Sequence, residues 1–326
     1  MPTGKIPSIV ASAGPTKAEL LESAEVLFTS AQSVIESGGR DEDILHTLWA
    51  KSSGNLPLNT PDGQLNALTL TRWAENGYPQ VTMGHKFAAA LLVTNVEGAV
   101  LDEVRPPWNG FLIEVPSGLL EIYNNALDEY RPIVRILVAR HSSSRVSAGS
   151  MAWMYIAFTD SSITIWRFGV STRELLPERM GTFSPDRDPT LVELTDQDER
   201  VTSLIGRLII NVCLTMNDPS MVKEIGKSSK KSTPPRRRPG ELPAVRTFQI
   251  GKPITMDFRN EVQTYVRYGT AARRQINIQV LVAGHFKHVV HGKGRQLRRW
   301  QWIEPYWKGD VEAPILIRPH KIDEDS

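Results

Sequence analysis

Helical spacing of apolar residues through the first hundred positions, then short runs of β-branched and aromatic residues after Pro106-Pro107, predict an α+β fold. A long amphipathic stretch at residues 197–215 supplies a helix to cover the strands. Because the strands come in a block and do not alternate with helices, a doubly wound parallel sheet is disfavoured. The expected architecture is a helical N-terminal portion, residues 16–96, packed on a mixed or antiparallel sheet, with C-terminal strands joining after a basic linker.

Residues 1–15 are rich in Gly, Pro, Ser and Ala without periodicity and read as a loose arm. Thr16 and Glu19 fit a capping box, Leu20, Leu21, Ala24, Leu27, Phe28, Ala31 and Ile35 keep helical spacing, and Gly38-Gly39 supplies a stop. A helix is therefore expected over 17–36. Asp41 opens a second helical pattern with Ile44, Leu45, Leu48 and Trp49, and Asn59-Thr60-Pro61-Asp62 opens a third with Leu65, Leu68, Leu70 and Trp73. Residues 83–96 read as a fourth helix, buried on most sides.

Strands are expected at 111–115, 119–123, 133–139, 152–158 and 162–168, the last two forming a hairpin around Thr159-Asp160-Ser161. The body so defined covers residues 1–222. Residues 223–245 carry three Lys or Arg clusters, four prolines and little that is apolar, the composition of a mobile linker that cannot offset the entropy of ordering. Residues 246–326 form a C-terminal module integrated with the body: a strand at 246–250, a helix at 257–268, a strand at 276–283, a hairpin with its tip at His291-Gly292-Lys293-Gly294, and an edge at 315–317. No internal repeat is evident.

At 326 residues and 40% apolar content the chain is long enough for a real core. Its one cysteine, Cys213, cannot make an internal disulfide, the N-terminus lacks the apolar run of a secretory signal, and the longest apolar run, Phe87 to Val96, is half the ~20 residues a bilayer requires. A cytoplasmic protein without a membrane span is expected. The net charge of +2 conceals a polarity: residues 223–308 hold 19 Lys and Arg against 5 Asp and Glu. That segment either neutralises an acidic N-terminal half within the fold or serves an anionic partner.

Residues 284–310 are the stretch around which the chain is organised. Phe286, Trp300, Trp302, Tyr306 and Trp307 stand among Lys287, Lys293, Arg295, Arg298, Arg299 and Lys308, and aromatic faces interleaved with cations are suited to recognition. The candidate partner-binding residues are His285, Phe286, Lys293, Arg295, Arg298, Arg299, Trp300, Trp302 and Glu304. Strand parity puts Trp300 and Trp302 on one face and Arg299 and Gln301 on the other; core tryptophans with the arginines reaching solvent are the favoured arrangement, and an exposed tryptophan stacking platform is the alternative. A second candidate is a nucleic-acid-binding arm of Lys230, Lys231, Arg236, Arg237 and Arg238, attracting RNA or ribosome without reading sequence.

Other motifs reduce to ordinary readings. His285, His288 and His291 are spaced for a helix in a stretch that reads as strand, so no metal is assigned. Gly292-Lys293-Gly294-Arg295 lacks the longer run of a nucleotide-binding P-loop and reads as a hairpin tip needing positive φ. No cofactor is expected. Glu304, in a Trp-rich setting, and Asp257, Glu261 and Glu114 are scattered acids without a paired spacing, so no catalytic set is assigned.

The pattern Gly284-His285-Phe286, Gly292-Lys293-Gly294, Trp302 and Pro305 resembles the end of phage and plasmid proteins related to the type V anti-CRISPR that blocks biogenesis of its target nuclease. The run Pro107-Trp108-Asn109-Gly110-Phe111-Leu112-Ile113-Glu114 is similar to a second patch of that family. The resemblance implies a non-secreted α+β protein in a bacterial host that recognises the nascent polypeptide of a CRISPR effector protein at the ribosome and causes loss of the message. The alternatives are an RNA-processing enzyme using Glu304 or a histidine as general base, and a phage accessory protein whose basic surface binds nucleic acid.

Overall fold

The N-terminal helix begins where its cap dictates. In the computed structural model, which describes residues 15–52, 61–94, 107–124, 129–141, 152–160, 163–166, 196–225, 243–253, 279–282, 284–308 and 315–316, α1 spans Lys17–Glu36. The Thr16 hydroxyl oxygen accepts from the Glu19 N–H at 3.3 Å, while the Glu19 carboxylate accepts from the Thr16 N–H at 2.7 Å. Two backbone donors without helical partners are thereby satisfied. Thr16→Ala is expected to cost about 1 kcal/mol, measurable by denaturant titration. The hydrogen bonds from the Thr16 backbone and side chain hold the Glu19 carboxyl below its ordinary value of 4.5. A depressed folded-state pKa stabilises the fold above the unfolded value, and this contribution is lost as pH falls through the folded value. The Tm gap between wild type and Glu19→Ala should therefore narrow on acidification.

α2 (Asp41–Ser52) and α3 (Pro61–Glu75) pack with α1 on one face of the sheet. Leu20, Leu21, Ala24, Leu27 and Ala31 of α1 meet Ile44 and Leu48 of α2, Trp73 of α3, and Leu112, Leu137, Ile156 and Phe158 of the sheet. Arg72 ties α3 to the start of α2 through Asp41 at 2.6 Å and also pairs with Glu75 at 2.9 Å. Lys17 donates to Gln80, whose amide donates to Glu114 at 3.1 Å, and Arg135 pairs with Glu114 at 3.4 Å. Burial lowers the Lys17 pKa against the opposing pull of the Glu114 charge.

The sheet is mixed. Its strands are β1 (Pro79–Met83), β2 (Gly110–Glu114), β3 (Glu121–Asn124), β4 (Glu129–His141), β5 (Ala152–Thr159), β6 (Ile163–Trp166), β7 (Val222–Ile225) and β8 (Arg246–Ile250). They lie in the order β6-β5-β4-β2-β1-β8-β7, with β3 beside β4. β1 pairs parallel with both β2 and β8, and the remaining pairs are antiparallel. β5 and β6 pair antiparallel, as expected of the hairpin. α4 (His85–Val93) and α5 (Asp196–Met216) cover the second face, where Phe87 and Leu91 meet Ile205, Leu208, Ile209 and Val212. Asn211 of α5 donates to the carbonyls of Leu91 and Thr94 at 2.7 and 3.2 Å, satisfying the C-terminal end of α4.

Three expectations change. The helix expected from residue 83 begins at His85, because residues 79–83 form the strand β1 at the centre of the sheet. Lys223, Glu224 and Ile225, expected to open the linker, are instead strand paired with β8, and residues 226–242 lie outside the described residues. The strands near 276–283 and 298–304 do not enter the main sheet. β9 (Gln279–Val282), β12 (Tyr306–Lys308) and β13 (Ile315–Leu316) make one small sheet, and β10 (His285–His291) with β11 (Leu297–Ile303) makes another. The β10–β11 pair joins the body through side chains, because Trp302 lies in the core shared by α4, α5 and the main sheet. The helix expected at 257–268 and the basic arm at 230–238 lie outside the described residues.

Candidate functional site

The β10–β11 hairpin is held at its base by a knot of four residues. Trp302, 7% exposed, meets the Phe87 ring edge-on at 4.9 Å, and its indole N–H donates to Thr94 Oγ1 at 3.4 Å. Gly284 lies against this indole. A Cβ there would sit 2.9 Å from Thr94 Oγ1, 3.2 Å from Trp302 Nε1 and 3.3 Å from Pro305 Cδ, so a side chain would force Thr94 to shift and crowd the indole. Phe286 and Trp300 pack beside it, with ring centroids 6.4 Å apart and nearly perpendicular, both half-buried against the same core.

The far end closes through Gly292 at φ 81°, Gly294 at φ 73° and Arg295 at φ 55°. The Arg295 N–H donates to the Gly292 carbonyl at 3.1 Å. Glycine at the first two left-handed positions removes the Cβ penalty. The turn fixes the register, pairing Phe286 with Trp302, Lys287 with Gln301, Val289 with Arg299, Val290 with Arg298 and His291 with Leu297. Residues directly opposite in an antiparallel pair share a face. Phe286, Trp302 and Trp300 therefore define the inward face. His285, Lys287, Val289, His291, Leu297, Arg299, Gln301 and Ile303 define the outward one.

The outward face is a ribbon of cations and aliphatic groups. Lys287 and Arg299 are exposed, Val289 and Ile303 half-buried, and Leu297 58% exposed. Residues 284–303 contain five Lys and Arg and no Asp or Glu. Among the described residues, none of Lys287, Lys293, Arg295, Arg298 and Arg299 meets a carboxylate.

The candidates from the sequence are divided by this geometry. Lys293 and Arg295 are exposed at the tip, Arg298 is exposed beyond the end of the core contact, Arg299 lies on the outward ribbon, and Glu304 is exposed at the base. His285 is half-buried where the ribbon meets the body. Trp302 is interior, so its proposed contact with a partner is corrected to a structural role. Lys287, Val289, Leu297, Gln301 and Ile303 were missing from the candidates, although strand parity, once the tryptophans are turned inward, points to each of them.

The other chemistry is dispersed. His285 and His291 end β10, roughly 20 Å apart at the ~3.3 Å rise of a strand, too far to share one ion. Among the described residues no three His, Cys, Asp or Glu side chains are placed to hold a metal. Glu114 is engaged with Gln80 and Arg135, and Asp257 and Glu261 lie outside the described residues. No described helix is long and apolar enough to cross a membrane.

No family model matches the chain, and no curated protein sequence matches it. Among solved structures it is similar to the crystal structure of AcrVA2, with a TM-score of 0.44 and 10% sequence identity over 87% of this chain and 94% of that one.

Proposed function

We propose that the protein is an anti-CRISPR-like recognition protein whose hairpin ribbon captures a nascent polypeptide of its target at the ribosome, lowering the target's mRNA and synthesis. The observation that carries the recognition step is the two-sided hairpin. Its aromatic face is anchored in the core through Trp302, leaving a rigid cationic and aliphatic face to meet a partner. The target class, a CRISPR effector protein, comes from the sequence resemblance in residues 284–305 and 107–114. In this reading residues 1–222 are the supporting body, residues 246–326 present the hairpin, and the protein acts in the host cytoplasm.

Capture of ribosomes on the tagged protein, with sequencing of the protected message, tests the proposal. The expected result is footprints concentrated early in one coding sequence and a fall in that transcript. Uniform footprints with an unchanged transcript would sink it, and turnover of purified RNA by the protein would replace it with an RNA-processing activity. The basic arm adds salt-sensitive attraction to this reading. Neutralising Lys230, Lys231, Arg236, Arg237 and Arg238 together should leave Tm unchanged and reduce ribosome association at low salt, as read by sedimentation.

A further inference from the structure

We infer that the outward ribbon takes an acidic polypeptide segment carrying aliphatic side chains, an inference that rests on the polypeptide reading above and names its partner's chemistry. The cations come first. Lys287 and Arg299 on the outward face and Lys293 and Arg295 at the tip, with no acid within residues 284–303 and no carboxylate meeting them among the described residues, leave a positive field for a partner to neutralise. Exposed ion pairs are individually weak, so such a partner needs several carboxylates and its binding must fall with salt.

The aliphatic groups then distinguish a polypeptide from a nucleic acid. Val289, Leu297 and Ile303 share the outward face with Lys287 and Arg299, and Leu297 is 58% exposed. Single-stranded nucleic acid is held by cations together with aromatic platforms for its bases. Here Phe286, Trp300 and Trp302 are turned to the opposite face and packed on the core. An aliphatic side chain between cations matches a leucine or isoleucine between carboxylates, and removing both from water favours the pairing. The Trp302 anchor keeps the ribbon in place, so little ordering is required on binding.

Fluorescence anisotropy of the full chain with a labelled Glu-Glu-Leu-Leu peptide repeated three times tests this, since either side of that peptide in extended form presents both residue types. Binding is expected, weakening with salt. It should weaken about tenfold or more in Lys287→Glu/Arg299→Glu and several-fold in Leu297→Ser. Each variant should melt with the wild type, because the altered side chains lie outside the core. The Lys-Lys-Leu-Leu peptide should not bind, and a peptide of glutamates alone should bind more weakly.

Equal binding by wild type and the charge-reversed variant would overturn the inference, as would equal binding of the lysine peptide. Tighter binding of a 20-nucleotide RNA, lost in the same variant, would reassign the face to nucleic acid. Selective ribosome capture that survives the loss of peptide binding would remove the ribbon from an otherwise intact recognition function. Conversely, acidic-peptide binding without selective capture would uphold this inference while removing the nascent-chain reading.

Discussion

Trp302→Ala is expected to destabilise the protein by about 3–5 kcal/mol, the range for truncating a large buried aromatic. The indole is 7% exposed, meets Phe87 edge-on at 4.9 Å and donates to the buried hydroxyl of Thr94. Its removal leaves a cavity between α4 and β11 and loosens the close packing around Gly284. Because marginal domains have only about 5–15 kcal/mol in total, the variant should show a large fall in denaturation midpoint. The hairpin should then release from the body, and protease cleavage near residues 292–296 should rise. Trp302→Phe should recover part of the stability without the hydrogen bond to Thr94. Arg299→Ala should melt like the wild type, since its side chain lies on the exposed face. A Trp302→Ala variant of unchanged stability would remove the anchor from the account of the ribbon.

Gly110→Ala is the second large effect, expected at about 2–3 kcal/mol from overpacking alone. A Cβ at this position would lie 2.6 Å from the Arg72 carbonyl carbon and the Trp73 nitrogen, and 2.7 Å from the Arg72 oxygen. Those are backbone atoms of α3, so relief requires moving the helix. α3 resists: Trp73 is fully buried, donates to the Pro79 carbonyl at 3.0 Å and packs edge-on against Tyr78, while Arg72 is paired to Asp41. Gly118→Ala is the control, because Gly118 has φ 72° but open space around it, leaving only a left-handed backbone cost of about 1 kcal/mol. Urea denaturation should separate the two in midpoint with the same slope. Equal losses would show that α3 shifts freely.

Gly284, Trp302 and Pro305 belong to one patch of the family resemblance and Gly110 to the other, and all four are buried. Lys287, Leu297 and Arg299 lie outside the resemblance, whereas exposed Lys293 and half-buried His285 fall within it.

Local signals were legible where the physics is local. α1 runs over 17–36 because a capping box and an apolar stripe are contained within the same twenty residues. β8 was legible as a strand for a similar reason, and the glycines at 292 and 294 marked a tip with positive φ. β1 was not legible. Its five residues are half-buried or buried along their whole length and so lack a clear alternation, and its partners lie about thirty and more than a hundred and sixty residues away. The C-terminal strands were recognisable as strands, but alternation identifies a face and not a neighbour, so it did not reveal that they pair among themselves.

The sequence by itself determined that the chain is α+β, that Trp300 and Trp302 share one side of a strand, and that residues 284–303 hold five cations and no acid. These follow from period, parity and composition, which are properties of neighbouring residues. Only the tertiary structure decided which side faces inward, because Phe87 and Thr94, some two hundred residues earlier, supply the ring and hydroxyl that receive Trp302. That choice turned Lys287, Val289, Leu297 and Arg299 outward: a strand has two faces of fixed membership, and burying one exposes the other.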